Sequence, residues 1–185
     1  DSQMIMFKKA RRFTRSEMMV MEMLSTNEWK RPMYFAVTIG SDYHLGLDPY
    51  LELTGMAYRI TPERNLSGRH RVNTALMYEN MMHKFKYGNM NLPGIYIDEN
   101  TMRMCRTHRM MFCQLAEALY NENKYDKAIE VLDFAEQMLP GYNVSYDYTS
   151  ATMASLYYAM DQYDKADKIM QIVADNSVEY MEWSA

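Results

Sequence analysis

RMMFCQLAEALYNENKYDKAIEVLDFAEQMLP, residues 109–140, decides how this chain is read. Apolar residues recur there at three- and four-residue spacing on both sides of Asn121-Glu122-Asn123-Lys124. That pattern predicts two amphipathic helices joined by a tight turn. Phe112, Leu115 and Leu119 line one face of the first helix. Ala116 and Ala128 are small and let the two helices approach closely, and Pro140 ends the second because proline cannot continue a helix. The stretch has an echo downstream. Asn123-Lys124-Tyr125-Asp126-Lys127-Ala128 returns as Asp161-Gln162-Tyr163-Asp164-Lys165-Ala166, and the offset, 161 − 123, is 38 residues.

Counted from Arg109, the places of Phe112, Leu115, Ala116, Leu119, Ala128, Leu132, Ala135 and Pro140 fit the signature of the tetratricopeptide repeat, which this stretch resembles. The second copy carries Met153, Ala154, Tyr157, Ala166 and Met170 at corresponding places. Val173 stands where that family usually has Ala, and Val178 where it has Pro. Its period is about 34 residues, so the extra residues belong to the connecting loop, Gly141-Tyr142-Asn143-Val144. The two hairpins are expected at 109–142 and 147–180. Two such units seldom bury a core alone. The exposed flank of the first, with Met104, Met111 and Leu115, should therefore dock on the preceding segment. Leu76, Met77, Met81 and Phe85, on a helix near residues 74–86, are suited to cover it.

The preceding segment reads as mixed. Thr14-Arg15-Ser16-Glu17 offers a capping box for a helix ending near Asn27. Trp29-Lys30-Arg31-Pro32 is a turn. Met33-Tyr34-Phe35-Ala36-Val37-Thr38-Ile39 is apolar nearly throughout and reads as a strand covered on both faces, ended by Gly40. Asp48 and Pro49 open a short helix as N-cap and first residue. Residues 55–60 make a second strand, residues 63–71 a surface loop, and Asn73 caps the next helix. The expected fold is mainly α, in the α+β class: an αβ segment with two strands and three helices over 1–98, packed on tetratricopeptide-like hairpins over 99–185.

Composition bounds the function. The formal charge of −4 argues against a general nucleic-acid binder. One basic run, Lys8-Lys9-Ala10-Arg11-Arg12 with Arg15, stands against that balance. No stretch approaches the ~20 apolar residues of a membrane span. The chain begins without Met and reads as a piece of a longer protein. Methionine is abundant, at 21 residues, and sits where a core would use Leu. Cys105 and Cys113 lie eight residues apart, about 12 Å along a helix, too far for a disulfide. They leave the redox compartment undecided.

Signs of chemistry are few. The four histidines, His44, His70, His83 and His108, show no metal-site spacing with one another or with the cysteines. Asp42-Tyr43-His44 with Asp48 is the densest polar cluster and reads as a loop beside a helix cap. No phosphate loop or nucleophile motif is present. No catalytic residue, metal ligand or cofactor is assigned. The concave face of the hairpins is a candidate for peptide or protein binding, with Met110, Glu117, Tyr120 and Asn121 from the first copy and Tyr148, Ser155 and Tyr158 from the second.

The order of blocks carries a wider resemblance. Asn27-Glu28-Trp29-Lys30-Arg31-Pro32-Met33-Tyr34-Phe35-Ala36-Val37-Thr38 is followed by Gly46-Leu47-Asp48-Pro49-Tyr50 and Glu52-Leu53-Thr54-Gly55-Met56-Ala57-Tyr58-Arg59. Then come Met82-His83-Lys84-Phe85-Lys86-Tyr87-Gly88 and Tyr96-Ile97-Asp98. Together they resemble the carboxy-terminal soluble region of a bacterial family of multi-spanning membrane proteins of unknown function, whose membrane half is similar to protein O-mannosyltransferases. The resemblance implies a periplasmic location and a supporting, non-catalytic role beside the membrane half. It implies no catalytic residue here, because the catalytic acid of such transferases lies in the membrane half. The alternative is a free-standing tetratricopeptide-like scaffold that binds a protein or peptide.

Overall fold

The computed structural model describes residues 12–67, 70–147 and 149–184. It is mainly helical, with one small sheet of the α+β class. The chain divides into two compact units, Asp1–Met77 and Tyr78–Ala185. Tyr148 and most of the basic run, residues 8–11, lie outside the described residues.

In the first unit, α1 (Arg15–Asn27) starts at the expected capping box. Glu17 N–H donates to Thr14 Oγ1, and Thr14 N–H donates to the Glu17 carboxylate at 2.6 Å. The helix stops where Asn27 clamps the following turn: its side-chain amide donates to Arg31 O and its Oδ1 accepts from Arg31 N–H. Glu28 and Trp29 take left-handed backbone there, at φ 45° and 59°. Val20, Met21 and Leu24 lay one side of α1 on a core of Phe35, Leu45, Leu47, Tyr50, Leu51 and Ile60.

The sheet has four short strands in the order β1-β3-β2-β4. β1 (Tyr34–Ala36) is an edge strand, antiparallel to β3 (Ala57–Ile60). This corrects the expectation of a strand over 33–39 covered on both faces: only Phe35 is buried, and Tyr34 and Ala36 face solvent. The apolar run belongs to an edge strand and the turn after it. The short helix at Asp48 is a single 3-10 turn, Asp48–Tyr50, and leads straight into β2 (Leu51–Leu53), a strand not expected from sequence. Asp48 does not cap with its side chain; the carboxylate instead takes His44 Nδ1 at 2.9 Å. Gly55, at φ 141°, turns the chain from β2 into β3, a conformation that side chains exclude.

β4 (Arg71–Val72) comes from the stretch expected to be a loop and lies parallel to β2. Its place is set by charge. Arg71 Nε donates to Glu52 at 2.9 Å, directly across the ladder, and its Nη1 donates to Glu63 at 3.1 Å. Glu52 is buried, and a buried carboxylate without a partner would be costly. An ion pair carries no hydrophobic periodicity, so pattern reading misses this strand.

Asn73 begins α2 (Thr74–Glu79) as expected, accepting from Leu76 N–H at 2.9 Å. Residues Asn80–Lys84 then widen into a π turn, with Phe85 N–H donating to Asn80 O. Tyr87 hydroxyl donates to Met81 O at 2.8 Å, occupying a carbonyl of that turn.

The second unit holds the four expected helices: α3 (Glu99–Asn121), α4 (Tyr125–Met138), α5 (Ser150–Ala159) and α6 (Tyr163–Ser184). α3 packs on α4, α5 on α6, and α3 also on α5. Ala116, Ala128, Ala154 and Ala166 are wholly buried, the close approach their small size foretold. The two inter-helix turns repeat bond for bond. Asn123 and Asp161 are left-handed at φ 60° and 59°. Lys124 N–H donates to Leu119 O, and Gln162 N–H to Tyr157 O, both at 2.9 Å. Tyr125 hydroxyl donates to Asn123 at 2.9 Å, and Tyr163 hydroxyl to Asp161 at 2.8 Å. The offset of 38 residues is therefore a structural repeat. The flank of the first hairpin is covered from within this unit. Tyr87 packs its ring near Phe112, Phe134 and His108, and Tyr78 hydroxyl donates to Glu130 at 2.7 Å.

Arg109 joins the two hairpins. It is 1% exposed, and its guanidinium donates to Leu139 O at 2.8 Å, Val144 O at 2.7 Å, Ser145 O at 3.1 Å and Ser150 Oγ at 3.3 Å. It also lies 5.0 Å from the centre of the Tyr146 ring. Gly141 lets that ring close down on the loop: a Cβ there would stand 2.5 Å from a Tyr146 ring carbon.

Two outcomes follow from this packing. Replacing Arg109 with Met should cost about 3–5 kcal/mol, because buried carbonyls lose their donor. Arg109→Lys should recover little, since an ammonium lacks the planar fork. Urea unfolding of both variants against the native chain checks this. Residues 78–185 alone should unfold in a sharp transition by circular dichroism. Residues 99–185 alone, stripped of Tyr78 and Tyr87, should show a broad transition or none.

Candidate functional site

The outward face of α3 and α5 is the candidate binding surface. These are the first helices of the two hairpins, and because they pack on each other their outer faces run together. Met110, Glu117 and Asn121 lie at seven- and four-residue spacing on α3, which keeps them in one row, and all three are exposed. Cys113, on the same count, turns inward and is buried, with its thiol pushed up to about 12 chiefly by burial. A thiol so placed is inert. Cys105 is likewise buried, and both cysteines are free on α3.

Tyr120 is half-buried, its ring centre 5.2 Å from Tyr125. On α5, Ser155 is exposed and donates its hydroxyl to Ala151 O at 2.9 Å. Tyr158 is exposed and its hydroxyl is tied to Asp167. Tyr158 and Tyr163 repeat the ring pair of Tyr120 and Tyr125 at 6.3 Å. The tyrosines thus shape the turn ends of the face. Among the described residues, no hydrogen bond or ion pair engages the side chains of Glu117 and Asn121, which are exposed on α3, so an incoming chain would meet a carboxylate and an amide there. A donor-rich ligand, such as a peptide backbone or a lysine, fits that pair.

A second polar feature escaped the sequence reading. A recess of about 180 Å³ is lined by Asp133, Glu136, Tyr157, Lys165, Lys168 and Ile169. Asp133 accepts from Tyr157 hydroxyl at 2.9 Å and from Lys165 Nζ at 2.6 Å. Lys165 also sits 5.4 Å from the centre of the Tyr157 ring. Glu136 takes the Tyr146 hydroxyl through one oxygen, while the other, buried, has no partner. Burial pushes the Glu136 carboxyl up, although Tyr146 and Arg109 pull the other way. The only sequence sign was Lys165 within the echoed motif.

His44 is buried, bonded to Asp48 and stacked 5.2 Å from Phe35, while Asp42 and Tyr43 face solvent. Among the described residues, no group of three His, Cys, Asp or Glu stands where it could hold a metal ion. No helix among them is long and apolar enough to cross a membrane.

The Glu136 environment has a pH consequence. A carboxyl whose folded pKa is raised binds its proton more tightly in the folded state. Its contribution is therefore full below the unfolded value of 4.5 and is lost as pH rises through the folded value. Glu136→Gln mimics the protonated form. At neutral pH it should raise the melting temperature over the native chain, and the gap should close in acid; a gap that widens in acid contradicts the assignment.

A family model described as TMEM260-associated domain 2 matches residues 2–76. Those residues hold the blocks from Asn27 to Thr38 and from Gly46 to Arg59, and they coincide closely with the compact unit Asp1–Met77. No curated protein matches the chain, and no solved structure matches it. The first unit is thus similar to a TMEM260-associated domain, and the helical hairpins lie outside the matched residues.

Proposed function

We propose that this chain is a non-catalytic accessory domain of a multi-spanning membrane glycosyltransferase-like protein, held on the periplasmic side of the inner membrane. The match of residues 2–76 to a domain associated with TMEM260 supports the accessory-domain part of this reading; the glycosyltransferase-like parent and the periplasmic side rest on the wider resemblance of the sequence blocks. In it, the first unit belongs with the parent's membrane half, and the hairpins engage a partner. We read the hairpins as tetratricopeptide-like. Their bond-for-bond repetition and the buried alanines at Ala116, Ala128, Ala154 and Ala166 support that. The partner is the membrane half itself or a separate protein that contacts Met110, Glu117, Tyr120, Asn121, Ser155 and Tyr158. Glycosyl transfer is assigned to the membrane half.

That the hairpin unit lies outside the matched residues favours a second reading, a free-standing scaffold that binds a peptide or protein. An antibody against this chain separates the two. In fractionated cells of the native organism, the accessory reading expects the antigen in the inner membrane and open to protease in intact spheroplasts. Antigen in the soluble fraction at the mass of the hairpins and αβ unit alone would establish the scaffold instead. The purified chain should also turn over no polyprenyl-phosphate sugar. Turnover that a point substitution within it abolishes would overturn the non-catalytic assignment.

A further inference from the structure

One face of α3 carries Thr101, Met104, Cys105 and His108 at i, i+3, i+4 and i+7, which sets the four in one stripe. The chain opposite the stripe is held in place. Gly88 and Asn89 are both left-handed, at φ 61° and 64°, and Met90 N–H donates to Tyr87 O at 3.2 Å. Asn143, from the loop between the hairpins, donates its side-chain amide to Met90 O at 2.7 Å. Turn and stripe line a recess of about 220 Å³, with Leu139 in its wall.

Four groups on this recess are ligands for a soft metal: the thioethers of Met90 and Met104, the thiol of Cys105 and the imidazole of His108. No carboxylate lines it, and its Lys86 is exposed. Cys105 is free and 5% exposed, whereas Met104 is 40% exposed. A methionine that only filled a core gap would be buried, as Met111 is. Here an exposed thioether and a buried thiol share one recess, which gives an ion a way in from solvent.

The tautomer of His108 is set by its neighbour. Its Nδ1 lies 2.8 Å from Met104 O. A carbonyl only accepts, so Nδ1 carries the proton and Nε2 keeps its lone pair. That is the arrangement of a metal-binding histidine, whose other nitrogen donates to a backbone carbonyl.

We propose that Met90, Met104, Cys105 and His108 form a site for one soft monovalent ion, Cu(I). Thioethers with a thiolate select that ion. Zn(II) takes thiolate, imidazole and carboxylate ligands, and Mg(II) and Ca(II) need oxygen. As the Cys105 sulfur binds the metal, its proton passes to solvent; the ion stays Cu(I), so no electron is transferred. Cys105 and His108 are too few to mark a site among His, Cys, Asp and Glu alone, and the thioethers complete the set. The inference rests on the hairpin unit's own residues and is independent of the glycosyltransferase-like reading.

The test is anaerobic titration of the full chain with Cu(I) in competition with bicinchoninate, whose copper complex is coloured. The chain should take about one equivalent from the chelator. His108→Phe keeps a ring beside Tyr87, and Met104→Leu keeps the bulk of an exposed side chain. Each should weaken Cu(I) binding by about tenfold or more, and Cys105→Ser should do the same. Met19→Leu removes an exposed thioether on α1 and should change nothing. Unchanged circular dichroism confirms folding of each variant. X-ray absorption of the copper-loaded chain should show sulfur neighbours together with nitrogen. A chain that takes no copper, affinity unmoved by both His108→Phe and Met104→Leu, or an equal loss with Met19→Leu would overturn the proposal. So would several equivalents bound alike, which would mean copper scattered over the methionines.

Discussion

A buried guanidinium governs the hairpin unit. Arg109 sits on α3, yet its acceptors are carbonyls along the path that leads from α4 to α5 and the hydroxyl of Ser150 at the start of α5. The loop on that path has no sheet or helix of its own to satisfy its carbonyls, and buried carbonyls must find donors. Arg109 supplies them as a planar fork, which no other side chain does. Burial holds its pKa below the usual arginine range, while Glu136, Tyr146 and Asp147 push back. The loop path fixes where α5 begins, and so how the second hairpin meets the first. The longer spacing of the two copies is tolerable because the added residues are wound around this one charge.

The helical half was legible because its determinants are local and periodic. Alanines at the contact, apolar rows on one face and a proline after α4 each act through spacing, and spacing is visible in a string of residues. The turn was legible too, since the motif returns with Asn123 or Asp161 at the left-handed place and the same tyrosine two residues on. Arg109 was not legible. It occupied the first place of the repeat, where an arginine reads as a solvated end, and only the folded loop gives it partners. Tyr78 and Tyr87 were hidden likewise: the aromatic contact from Tyr87 to Phe112 joins residues with no periodic relation.

The sheet shows the same division. β3 could be read from its aromatic and branched residues. β2 and β4 could not, because three- and two-residue strands are too short to alternate. What aligns them is the pair of Glu52 and Arg71, a long-range charge contact with no local signature. On α3 the repeat count expects Met110, Glu117 and Asn121 outward, and they are exposed, but Cys113 on the same count is buried. The chemistry of the candidate face was not legible, because whether Tyr158 meets a ligand or Asp167 depends on the neighbouring helix.

Methionine makes the limit of composition plain. Met77, Met81, Met111 and Met153 are wholly buried, whereas Met18, Met19, Met23 and Met181 are exposed. The residue type is the same, and so is its freedom to pack irregular surroundings. In a core that freedom fills gaps between helices. On an outer face it costs exposed apolar area, which a folded chain keeps down unless the area meets something. A count of methionines therefore cannot separate packing from contact. Only the helical period, read against the direction of the core, assigns each one. On α1 that period puts Val20, Met21 and Leu24 inward and leaves Met19 and Met23 outward in line with Arg15.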